Sequence, residues 1–130
     1  MKVGKSRRFA LRNKNYKRRC EKRKLSKCVG VCRTYDPIQY AYADVLEAND
    51  EIAEIRVNVP LDGLVIDGKE YVSDFVCVRT DGNLMVRECV FREHLEKPLT
   101  VKLLDSSRDY WTRNGVMDWG LVINETDEKR

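Results

Sequence analysis

The sequence predicts an α/β domain, a mixed β-sheet of four or five strands with a helix packed on each side, entered through a basic N-terminal arm. Turn chemistry, apolar periodicity and charge distribution point there. Two apolar runs flank Thr80-Asp81-Gly82-Asn83, and Asp-Gly between such runs is a strong hairpin signal. Residues 36–48 and 97–114 carry apolar side chains at helical spacing. Residues 1–30 hold thirteen Lys/Arg against one acid, Glu21, while the remaining hundred residues hold twelve cations against twenty acids. A basic segment joined to an acidic domain suggests a polyanion-binding arm.

The 130 residues suit one domain. The expected division is an arm over 1–33, a folded domain over 34–124 and a charged tail over 125–130. No apolar run reaches membrane-spanning length, and the basic N-terminus lacks the apolar stretch of a secretory signal. A cytoplasmic protein without a membrane partner is expected. The five cysteines, Cys20, Cys28, Cys32, Cys77 and Cys89, are then expected as free thiols. Cys28-x-x-x-Cys32 with Cys20 upstream falls short of the four ligands of a structural zinc site, and the one histidine, His94, stands far off.

In the arm, Phe9, Tyr16 and Leu25 are widely spaced among charges. Without a partner such a segment is expected to be solvated. With nucleic acid, Lys5, Arg7, Arg8, Arg12, Lys14, Lys17, Arg18, Arg19, Lys22, Arg23, Lys24 and Lys27 are the residues expected to meet phosphates. An acidic protein surface is the other partner such a charge pattern allows.

Asp36-Pro37 predicts a helix start, an N-cap followed by proline in the first turn. Ile38, Ala41, Tyr42, Val45 and Leu46 form its stripe, with Gln39 at the edge. Strands are expected near 53–60, 64–66, 70–79 and 84–91, with turns at Asp62-Gly63, Asp67-Gly68 and Asp81-Gly82. Regular alternation would place Val72, Asp74 and Val76 on one face of their strand. It would place Val86, Glu88 and Val90 together on the next, so that two carboxylates meet across the hairpin. Arg92 is the expected cation partner of Glu88 if the pair is structural. Pro98 opens a second helix, with Leu99, Leu103, Leu104, Ser107, Tyr110 and Trp111 on its stripe and Gly115 as its stop. Residues 117–123 form the closing strand.

An aspartate, a hairpin turn, a glutamate in the following strand and then a helix resemble the core of the PD-(D/E)xK nucleases. The longer run YVSDFVCVRTDGNLMVRECV, with HLEKP, a helix and MDWGLVIN, is similar to the N-terminal domain of TnsA-type transposon endonucleases, over roughly Asp36 to Asn124. The resemblance implies a restriction-endonuclease-like sheet in which Asp74 and Glu88 hold Mg²⁺ for phosphodiester hydrolysis. It also marks two departures. The family's strand lysine is replaced by Val90, and its helix glutamate by Gln39. Losing one such electrostatic group costs roughly two to three orders of magnitude in rate. In some members the lysine comes from a helix, a role that falls here to Lys102. Asp74, Glu88, Gln39 and Lys102 are thus the implied catalytic set. The implied protein is an endonuclease-fold protein of a mobile element or phage that binds nucleic acid, DNA first, with impaired cleavage. The alternative is a non-catalytic adaptor beside a transposase or in another large nucleoprotein assembly.

Overall fold

The computed structural model describes residues 20–124. A mixed four-stranded sheet carries a helix on each face, and a small two-stranded sheet packs beside it. No helix among the described residues is long and apolar enough to cross a membrane. The expected charged tail, 125–130, and arm residues 1–19, with Lys5, Arg7, Arg8, Arg12, Lys14, Lys17, Arg18 and Arg19, lie outside the described residues.

The arm boundary drawn from charge at residue 33 is not where packing begins. Glu21–Arg23 (β1) and Cys32–Thr34 (β2) pair antiparallel, with Glu21 opposite Thr34 and Arg23 opposite Cys32. The connecting loop is stitched to the main sheet at Ile55. Its N–H donates to the Lys27 carbonyl and its carbonyl accepts from Val29 N–H. Cys32 and Thr34 point inward and Arg33 outward. A three-residue alternation is too short to stand out among so many charges, which is why this hairpin reads as arm.

Helix α1 (Pro37–Glu47) starts as its sequence dictates: Asp36 accepts the Gln39 N–H at 2.8 Å, and Pro37 occupies the first turn. Its buried face is rotated from the expected stripe. Ile38, Gln39, Ala43 and Leu46 are buried, whereas Val45 is 55% exposed. The rotation brings the Gln39 amide, not another aliphatic chain, against the sheet.

Strands β3 (Ile52–Ile66), β4 (Lys69–Arg79) and β5 (Leu84–Val90) form an antiparallel meander. The turn expected at Asp62-Gly63 does not end a strand. β3 runs on for 15 residues, and its register against β4 shifts between Pro60 and Val65. Gly63, at φ 84°, gives the bulge the left-handed residue it needs. The Asp81-Gly82 turn is as expected. Gly82 N–H donates to the Arg79 carbonyl, Arg79 N–H to the Asn83 carbonyl, and Gly82 has φ 92°.

After a 3-10 turn at Arg92–His94, helix α2 (Pro98–Arg113) crosses the sheet and leads into β6 (Asp118–Ile123), which pairs parallel to β5. Parallel neighbours need such a crossover. Ile38, Ala43 and Leu46 of α1 pack with Ile55, Phe75, Cys77, Met85 and Cys89 on one face. Leu103 and Trp111 of α2 pack with Tyr71, Val76 and Val86 on the other. Leu99, expected on the α2 stripe, is exposed.

Candidate functional site

Alternation along β4 slips at Asp74. Tyr71 and Val76 belong to the α2-facing core, yet Phe75 and Cys77 belong to the α1-facing core. Ser73 also faces α2, since its hydroxyl accepts the Trp111 indole N–H at 3.1 Å. The expected shared face of Val72, Asp74 and Val76 is therefore broken. The strand register explains the slip. β4 pairs β5 only as far as Phe75 opposite Arg87. On the other side the ladder steps from Val57↔Phe75 to Val59↔Ser73, passing over Asn58, whose φ is 54°.

Side chains take over where the β4–β5 ladder ends. Cys89 N–H donates to Asp74 Oδ2 at 2.7 Å, and Asp74 N–H donates to Glu88 Oε1 at 3.0 Å. Each carboxylate stands in for a main-chain carbonyl of its own strand and receives the N–H of the other. From the α2 side, the Ser73 and Ser107 hydroxyls donate to Glu88 Oε2 at 2.6 and 2.7 Å. Those hydroxyls in turn accept the indole N–H groups of Trp111 and Trp119. From the α1 side, Gln39 Nε2 faces Asp74 Oδ1 at 3.4 Å and donates to Asn58 Oδ1 at 2.9 Å, while its carbonyl accepts Tyr35 N–H. Gln39 and Glu88 are wholly buried and Asp74 nearly so.

The expected juxtaposition of Asp74 and Glu88 is present, joined by Gln39. Their surroundings differ from those of a hydrated Mg²⁺. That ion keeps several waters and offers only positive charge to its ligands. Here the two carboxylates face amide, indole-backed hydroxyl and main-chain donors in a buried split between strands. Hydrogen-bond donors already supply the positive partners that make such burial tolerable. Among the described residues, no group of three or more His, Cys, Asp or Glu is arranged to hold a metal ion.

Lys102 lies elsewhere. It is exposed on α2, with Nζ 3.2 Å from Asp67 in the β3–β4 turn. Val90 is buried and offers no charge. Arg87, on the α1-facing side of β5, pairs with Asp118 at 2.8 Å, and Arg79 pairs with both Asp118 and Glu51. Among the arm cations that are described, one is tied to α1 and one to the turn that follows it. Arg23 pairs with Asp44 at 2.6 Å and donates to the Tyr40 carbonyl, and Lys27 donates to the Asn49 carbonyl. Lys22 and Lys24 are exposed.

The described cysteines are free thiols. Burial pushes Cys77 up to about 12. Burial, then a hydrogen bond with Cys32, pushes Cys28 up to about 12. Thiols so protonated are poor nucleophiles and poor metal ligands.

Ser73, Ser107, Trp111 and Trp119 belong to this site, and the sequence alone does not single them out as functional. Ser107 carries the one available signal, because a serine on the buried stripe of a helix needs a partner. Neither the protein-family models nor the curated proteins contain a match to this chain.

Proposed function

We propose that this chain is a nuclease-like domain whose carboxylate pair serves the sheet rather than a catalytic cation, and that it works by binding nucleic acid through its N-terminal cations. One observation carries the reading. Across the end of the β4–β5 ladder the Asp74 carboxylate accepts the Cys89 main-chain N–H and the Glu88 carboxylate accepts that of Asp74, both carboxylates buried and Glu88 backed by serine hydroxyls. A general base or metal ligand must offer lone pairs to solvent or substrate. These lone pairs face the fold. Val90 and the distant Lys102 agree with a site that lacks the family's cation. The binding half of the proposal rests on charge, since residues 1–19 carry nine Lys/Arg and no acid.

Plasmid nicking with Mg²⁺ or Mn²⁺, run beside duplex binding at several salt concentrations, tests both halves. The expected outcome is no cleavage and salt-steep binding. Replacing Lys5, Arg7, Arg8, Arg12, Lys14, Lys17, Arg18 and Arg19 by Gln should flatten the plot of log K against log salt by about 0.9 for each phosphate no longer neutralised. Metal-dependent nicking that Asp74→Ala abolishes would instead establish the catalytic reading. Salt-independent binding would remove the arm from the account.

A further inference from the structure

The β1–β2 ribbon sets two cations face to face. Lys22 and Arg33 are Cα partners in its antiparallel register, so their side chains leave the same face from Cα atoms about 4.5–5.5 Å apart. That face is the outer one, because the neighbours of Arg33 along β2, Cys32 and Thr34, are buried. Lys22 and Arg33 are exposed, and so is Lys24, two residues on from Lys22. Glu21, the ribbon's one acid, stands opposite Thr34 and so leaves the other face. Among the described residues none of the three cations enters an ion pair, whereas Arg23, Arg56, Arg79, Arg87, Lys102 and Arg113 all do. Like charges directly opposite one another destabilise a sheet, and no carboxylate among the described residues relieves this pair.

We propose that the outer face of the ribbon is a preformed phosphate seat, in which Lys22 and Arg33 clasp the phosphodiester backbone of nucleic acid. A phosphate between the two cations replaces their repulsion by attraction, and the guanidinium can meet two of its oxygens at once. The backbone beneath is fixed. The Arg33 carbonyl accepts Asn58 Nδ2 at 2.9 Å, and Asn58 in turn accepts from Gln39. Strand β1 is anchored through Arg23 to Asp44 and to the Tyr40 carbonyl. A fixed seat spares the ordering cost that a free segment bears on binding. The nine Lys/Arg of residues 1–19 enter the chain just before this face, with no acid among them. Such a run matches the even charge of a phosphate backbone better than the mixed charges of a protein surface. The cations expected from charge alone omit Arg33 and include Arg23 and Lys27, which the fold uses for itself. The inference deepens the nucleic-acid reading above and rests on it.

The test uses the full chain, a labelled DNA duplex and fluorescence anisotropy at several salt concentrations. Lys22→Gln and Arg33→Gln should each flatten the plot of log K against log salt by about 0.9, and Arg33→Lys should keep the slope. Arg113→Gln removes an equal charge from α2, where Arg113 pairs with Asp109, and should leave the slope unchanged. Without DNA, Arg33→Glu should raise Tm, because it sets opposite charges across the ribbon. Slopes in Lys22→Gln and Arg33→Gln that match that of Arg113→Gln overturn the seat, and so does a Tm that falls in Arg33→Glu. If neutralising residues 1–19 flattens the plot and the ribbon variants do not, the seat fails while the nucleic-acid reading stands. Preference of the unaltered chain for polyglutamate over the duplex gives the face to an acidic protein and overturns the seat. No binding of the duplex by the unaltered chain overturns both.

Discussion

Replacing Glu88 by Ala removes the acceptor of three hydrogen bonds, from Ser73 Oγ at 2.6 Å, Ser107 Oγ at 2.7 Å and Asp74 N at 3.0 Å. A buried donor left without an acceptor costs about 1–3 kcal/mol. The two hydroxyls can turn and still accept the indole N–H groups of Trp111 and Trp119, so they belong at the low end of that range. The Asp74 N–H is fixed and belongs higher. The loss should total about 3–6 kcal/mol, a large part of the roughly 5–15 kcal/mol that holds a domain folded. Glu88→Gln keeps the shape and one acceptor oxygen for Asp74 N–H, and should cost about 1–3 kcal/mol. Urea unfolding followed by tryptophan fluorescence suits the measurement, because both tryptophans of the chain bond to serines that hold Glu88. The midpoint should fall in the order unaltered, Gln, Ala at a constant m-value. A residue kept for chemistry at the expense of stability gives the opposite sign when removed. A midpoint that rises in Glu88→Ala, or stays put, refutes the structural role.

Gln39→Glu turns an amide donor that faces Asp74 and Asn58 into an acceptor, which should destabilise the fold by about 2–5 kcal/mol. Because the Asp74 and Glu88 lone pairs face main-chain and hydroxyl donors, added Mn²⁺ should leave the Tm of this variant unchanged; a Tm that rises with Mn²⁺ would show that the split admits a cation. Cys28 and Cys77, both near 12, should react with iodoacetamide at pH 8 far more slowly in the native protein than in urea, read peptide by peptide by mass spectrometry. Equal rates would contradict their protection. Glu47 is held below its usual 4.5 by the Ser26 hydroxyl and then by the Lys27 and Ser26 main-chain N–H groups. A lowered folded value means its stabilising contribution is full above about pH 4.5 and fades as pH falls through that lower value. The stability gap between the unaltered chain and Glu47→Gln should close in that acidic window; a gap constant with pH would discount the interaction.

Local chemistry is legible in the sequence. Asp36-Pro37, Pro98, Gly115 and Asp81-Gly82 each mark a boundary through a constraint of one or two residues, and the structure places α1, α2 and the hairpin accordingly. What the sequence hides depends on partners distant along the chain. Nothing near Asp62-Gly63 says that β4 lies alongside to absorb the turn as a bulge. The orientation of α1 follows from Gln39 finding Asp74, Asn58 and Tyr35. The pairing of Asp74 with Glu88 is readable from the hairpin. The slip in alternation at Asp74 is not, because it arises from side chains replacing main-chain bonds. The same holds for the hairpin within the expected arm, where Arg23 binds α1 and Lys27 the turn that follows it.

The parallel pairing of β5 with β6 sets an order of assembly. The β3–β4–β5 meander closes through short turns, whereas β6 must return across the whole of α2. Closing the longer loop costs more chain entropy, so β6 is placed to dock onto a meander already formed. That meander presents Arg79 and Arg87, both of which pair with Asp118 at the leading end of β6. The last strand is therefore guided home by opposite charge. Its docking rate, unlike that of the hairpin before it, should slow as added salt screens the two arginines.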